Sequence, residues 1–262
     1  MTVRRGRGML PPMRARVWTA LCSMVCALQS IACTGGTETG NPSFTGALSY
    51  TGYSSKPDVF GVREGGAVAS IENAWLDLDT VKVAPEGGCG IDAGDAFEVP
   101  GLGAGDHAAG NHNSTPYAAK AGRFCSLELP FTRVPASSPM SGLPAELRGQ
   151  SLLIVGKLAD GTPFSITSAA TPVVQLSADG AGFELSAEQN DTLLAFDFAT
   201  WLEGIDFDAA EPTGDQILIS ESSNSELYAT FEANLASGVA LYRDSGGDGL
   251  LDPDAEPLAH AP

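Results

Sequence analysis

Along most of this chain, apolar residues come in short runs, often every second position, and the runs end at Gly, Pro or Asp. Residues 74–83 carry Trp75, Leu76, Leu78, Val81 and Val83 and stop at Pro85-Glu86-Gly87-Gly88, which predicts a half-buried strand. Residues 151–158 and 162–167 predict a hairpin, because Asp160-Gly161 between them supplies the positive φ that a tight turn needs. A second hairpin is expected between residues 173–177 and 183–186, turning through 178–182, and residues 192–198 and 216–220 add further strands. A sheet with one apolar face must bury it, so many short strands predict a mainly β chain folded as an antiparallel β-sandwich.

Two segments depart from this alternation. Residues 199–204 read as a helical turn, and residues 225–236 place Leu227, Phe231 and Leu235 on one helical face, with Ser223 or Asn224 as cap in front and Gly238 behind. The sandwich is therefore expected to span residues 44–242, with one or two short helices near its C-terminal end.

The N-terminus has a different pattern. Arg4, Arg5, Arg7, Arg14 and Arg16 precede an apolar run from Val17 to Ala32, and no acidic residue occurs among the first 32. A basic stretch, a short apolar stretch and small residues at its end make a secretory signal, and Ser23, Gln29 and Ser30 break the run too often for comfortable membrane spanning. Met13 is an alternative start, since Arg14 and Arg16 suffice as a basic region. The junction Leu28-Gln29-Ser30-Ile31-Ala32-Cys33 resembles the lipobox of bacterial lipoproteins, which implies acylation of Cys33 and removal of residues 1–32. An ordinary signal-peptidase site ending in Ser30-Ile31-Ala32 is the competing reading. Residues 33–43 would be the lipidated Cys and a flexible Gly/Thr tether. Thr34 after the Cys, rather than an Asp, implies by the same resemblance an outer-membrane address, on the periplasmic face or the cell surface.

Charge then narrows the partners. Five of the 14 basic residues lie in the first 32 positions and all 32 acidic residues lie beyond them, so the exported part is strongly anionic. That argues against nucleic acid and against anionic lipid surfaces as partners. Of five Cys, the signal carries Cys22 and Cys26 and the lipid would occupy Cys33, which leaves Cys89 and Cys125 for one disulfide in an oxidising compartment.

Two stretches carry candidate chemistry. Residues 87–122 are rich in Gly, Ala and Asn and are expected to form a loop excursion between the two Cys. Within it, His107 and His112 are close enough in sequence to share a transition metal, although a third ligand is not evident. At the C-terminus, residues 243–262 form an acidic segment in which Asp244-Ser245-Gly246-Gly247-Asp248-Gly249-Leu250-Leu251-Asp252 resembles an EF-hand-like calcium loop. Asp244, Asp248, Gly249, Leu251 and Asp252 fall at loop positions 1, 5, 6, 8 and 9, and Leu250 would offer its carbonyl at position 7. Gly246 stands where a third oxygen ligand is usual, Ala255 stands at position 12 with Glu256 one residue late, and Pro253 prevents direct continuation into a helix. A plain acidic turn is the rival reading.

Enzyme motifs are missing from the sequence: it has no G-x-S-x-G elbow, no dinucleotide or Walker glycine loop and no H-E-x-x-H. The succession of the 74–83 strand, Cys89, the 121–129 strand, the 156–164 hairpin and the 194–201 segment resembles bacterial envelope lipoproteins of the myxobacterial type with a β-sandwich domain. The likeness covers about residues 42–240 and implies no active residues. The functional expectation is an exported lipoprotein acting as a non-catalytic binding or structural module for a glycan or protein, stabilised by calcium at its C-terminus. The alternative is an envelope metal-handling protein of the copper type, using His107 and His112.

Overall fold

The computed structural model describes residues 41–62, 68–85, 93–108, 113–139 and 141–262. The expected signal, Cys33, Cys89 and His112 lie outside the described residues. In chain order the strands are β1 (Ser43–Tyr53), β2 (Phe60–Val62), β3 (Ala69–Leu78), β4 (Val81–Ala84), β5 (Phe97–Val99), β6 (Gly103–Asp106), β7 (Asn113–Lys120), β8 (Gly122–Phe124) and β9 (Ser126–Pro130). They continue as β10 (Leu152–Leu158), β11 (Pro163–Ser168), β12 (Val173–Ser177), β13 (Phe183–Leu185), β14 (Thr192–Asp197), β15 (Pro212–Thr213), β16 (Gln216–Ile219), β17 (Val239–Arg243) and β18 (Ala259–His260). Two helices, α1 (Phe198–Trp201) and α2 (Ser225–Asn234), fall where helical spacing predicts them. Neither helix, nor any other among the described residues, is long and apolar enough to cross a membrane.

The chain is mainly β, as its alternation predicts. Nine strands form one sheet in the order β5-β4-β9-β12-β18-β17-β14-β1-β7, β15-β16-β11-β10-β3-β2 with β6 beside β3 form a second, and β13 and β8 make a small third. Apolar faces of the first two sheets meet in one core: Leu48, Tyr50, Leu194 and Phe196 from the first, Ile71, Leu76, Ile154 and Ile166 from the second. The outer strands of the larger sheet curl toward each other, with Phe97 of β5 stacked on Tyr117 of β7 at 5.1 Å between ring centres. The arrangement is sandwich-like with a barrel-like curl. Most neighbours are antiparallel, but β1 with β14, β2 with β3 and β11 with β16 run parallel.

The expected hairpin is β10 and β11, in register from Leu152 with Ser168 to Lys157 with Pro163, and Gly161 at its turn has φ +89°. Three expectations are corrected. The 74–83 strand is two strands in different sheets, turning at Asp79, whose Oδ1 accepts from Thr80 N. Residues 173–177 and 183–186 do not pair with each other: β12 lies between β9 and β18, and β13 pairs with β8. Both edges of β12 are thus taken by distant strands, which a local turn signal cannot report. The 87–122 region is not one long excursion, because it contains β5, β6 and the eight-residue β7. Thr115, Tyr117 and Ala119 of β7 point inward and their neighbours outward.

The helix cap is right in place and different in chemistry. Asn224 precedes α2 in a left-handed conformation (φ 51°, ψ 48°) and makes no side-chain bond to the helix. Its amide instead donates to Glu211 O and Leu218 O and accepts from Glu211 N, tying the helix start to the β15 and β16 region. Residues 243–262, set apart in sequence as an acidic segment, end inside the larger sheet, where β18 pairs with β12 and β17.

Candidate functional site

His107 follows β6 and is drawn between the sheets by its backbone. Its N–H donates to Ala74 O at 2.7 Å, and its carbonyl accepts from Gly52 N of β1 at 2.8 Å, so one residue joins both sheets. Asp106 holds the approach: Oδ1 accepts from Ala74 N and Ala108 N, and Oδ2 from Asn73 Nδ2 at 2.7 Å. With these bonds made, the ring of His107 has only inward space. It is 1 % exposed, against Tyr50 of β1 at 5.9 Å and Phe196 of β14 at 5.3 Å between ring centres. Its Nε2 lies over Gly105, where a Cβ would stand 3.5 Å away and 3.4 Å from Asn113 Nδ2.

Among the described residues, neither ring nitrogen of His107 has a hydrogen-bond partner, and neither does the buried hydroxyl of Tyr50. Each such orphan costs roughly 1 to 3 kcal/mol, and native interiors satisfy nearly all of these groups. Burial pushes the His107 imidazole down to about 4, against a smaller opposing pull from Asp106. Burial likewise raises the Tyr50 phenol well above its ordinary range. At neutral pH the box therefore holds a neutral imidazole, the form that binds metals, beside a neutral phenol. Tyr50 carries no signal in the sequence, since only the packing of β1 against the other sheet brings it to His107.

The C-terminal loop brings part of its expected ligand set together. Asp244 is 5 % exposed; its Oδ2 accepts from Gly249 N at 3.1 Å, and its N–H donates to Asp191 O. Asp248 Oδ1 accepts from Leu250 N at 3.0 Å, while Asp252 Oδ1 accepts from Asp254 N at 3.0 Å. Asp252 and Glu256 are exposed. Leu251 packs inward on Leu193, Ala195 and Tyr242, as position 8 of such a loop requires. Among the described residues, no three of His, Cys, Asp and Glu converge closely enough to hold a metal by side chains alone.

Cys125, between β8 and β9, is buried and disulfide-bonded. The other cysteines, Cys89 among them, lie outside the described residues. His260 of β18 sits at the periphery, its Nδ1 near Ala261 O and its Nε2 3.3 Å from Asp179.

No protein-family model and no curated protein sequence matches this chain. Among solved structures it is similar to MbnP from Methylosinus trichosporium, at 11 % identity, over 84 % of this chain and 100 % of that one, with a TM-score of 0.40.

Proposed function

We propose that this chain is an exported, lipid-anchored, non-catalytic β-sandwich of the bacterial envelope that handles a transition-metal ion through His107. One observation carries the reading: a neutral imidazole, 1 % exposed, with both nitrogens unpartnered among the described residues, beside an equally unpartnered phenol. An unpartnered buried imidazole is open to a ligand, and imidazole suits copper, zinc, iron and nickel rather than calcium or magnesium. Copper(II) binds most tightly among the divalent first-row ions at such a donor, so copper is the ion to test. His112, five residues further along the chain, supplies the second imidazole in this reading. The acidic surface suits capture of cations, and Cys33 with its Gly/Thr tether supplies the anchor.

The test is retention of copper by the full chain after dialysis against a weak chelator, counted by elemental analysis. The reading expects about one copper per wild-type chain and a loss of most of it in His107→Gln and in His112→Ala. Equal copper in wild type and His107→Gln, or none in wild type, contradicts it.

A further inference from the structure

The loop after β17 holds a buried carboxyl group that the His107 reading does not use. Among the described residues Asp244 Oδ1 has no hydrogen-bond partner, although the residue is 5 % exposed and its other oxygen is bonded to Gly249 N inside the same turn. A carboxylate oxygen shut away from water is strongly disfavoured unless a cation or proton meets it. We propose that residues 244–252 bind a calcium ion, with Asp244 Oδ1 as the innermost ligand.

The division of labour within Asp244 supports this. One oxygen secures the sharp turn at Gly249, whose φ of +66° suits glycine, and the other is left for the ion. The residue that departs most from the usual pattern, Gly246, has a physical role here. A Cβ built on it would lie 3.2 Å from the Cγ and Oδ1 of Asp248, so the missing side chain leaves room for the Asp248 carboxylate beside the loop backbone. Asp248 thereby brings a second carboxylate where position 3 contributes none. Leu250 at position 7 offers a carbonyl, and Asp252 at position 9 reaches the ion through water, as that position commonly does.

The chemistry selects the ion. These donors are oxygen only, which favours a hard cation, and a loop short of side-chain ligands suits the adaptable coordination of calcium better than the strict octahedron of magnesium. With two side-chain carboxylates and the remainder from carbonyl and water, the dissociation constant belongs in the weak range of about 10⁻⁴ to 10⁻³ M. The loop is fastened on both sides. Asp244 N bonds to Asp191 O, Leu251 packs on Tyr242, and Leu258 N donates to Leu241 O just before β18. Bound calcium would therefore brace β17 and the return of β18 to the sheet.

The test is thermal unfolding of the full chain in chelator, then in calcium at about 1 and 10 mM, with magnesium in parallel. Ten-fold saturation corresponds to a rise in Tm of roughly 3 to 5 °C for a domain of this size. Asp248→Ala leaves the Asp244–Gly249 bond in place and is the deciding variant; Asp244→Asn is the second. Loss of the calcium-dependent rise in Asp248→Ala supports the site. An unchanged wild type, an equal rise with magnesium, or a rise that Asp248→Ala retains overturns it.

Discussion

The rings of Tyr50 and His107 lie 5.9 Å apart between the two sheets, and among the described residues neither the phenol oxygen nor either imidazole nitrogen has a hydrogen-bond partner. Tyr50 comes from the larger sheet and His107 from the end of a strand in the smaller one, so this pair is a product of the packing of the two sheets. A core built for stability alone would put apolar groups there. This one keeps three polar atoms at a cost, and the predictions below follow from that cost and from what surrounds it.

Removing an orphaned hydroxyl relieves a penalty. Tyr50→Phe keeps the ring and deletes only the oxygen, so the metal-free chain should gain about 1 kcal/mol, a rise in Tm of roughly 2 to 4 °C. Denaturant unfolding in the presence of chelator measures it. A loss of stability would mean that the hydroxyl has a partner in solution.

Acid should expose His107. Its folded-state value, about 4, lies below the ordinary 6.5, so between these the unfolded chain binds more protons than the folded one. Stability from its burial as neutral imidazole is complete above pH 6.5 and is lost as the pH falls toward 4, by at most about 3 kcal/mol. The carboxylates add their own acid dependence, which the difference between wild type and His107→Gln removes. Metal-free wild type should lose more stability than the variant over this window, and parallel curves would refute the burial argument.

Asp197 marks a purely structural site for comparison. It is 6 % exposed and accepts from Ser55 N, Ser55 Oγ, Ala199 N and Thr200 Oγ1, pinning the start of α1 and the turn after β1. Asp197→Ala leaves these donors unserved and should cost about 3 kcal/mol. Copper retention by the folded fraction should be unchanged, which separates damage to the scaffold from damage to the site.

How far the sequence goes is uneven, for local reasons. The β10 and β11 hairpin is legible because its alternation and its Asp160-Gly161 turn act within a few residues. The β7 strand is not, since Pro116, Ala118 and Ala119 are poor strand formers and its order comes from pairing with β1. The spacing of Asp244, Asp248 and Gly249 announces their loop, but the burial of Asp244 comes from tertiary packing. His107 stands out as one of three His, yet Asp106 and the Gly and Asn around it suggest a solvated loop. Its enclosure depends on Tyr50 and Phe196, and no periodicity connects residues so far apart.

Anchoring has its own test. Cys33→Ala should abolish incorporation of a labelled fatty acid and move the chain from the membrane fraction to the soluble one. Continued membrane association of the unlabelled variant would remove the lipid from the account.

Electron paramagnetic resonance of the full chain loaded with one equivalent of copper(II), for wild type and His107→Gln, decides whether His107 binds the ion. A single copper species is expected whose nitrogen couplings report imidazole, with the His107 contribution absent from the variant. A spectrum identical in the two proteins would contradict it and leave His107 as a core residue.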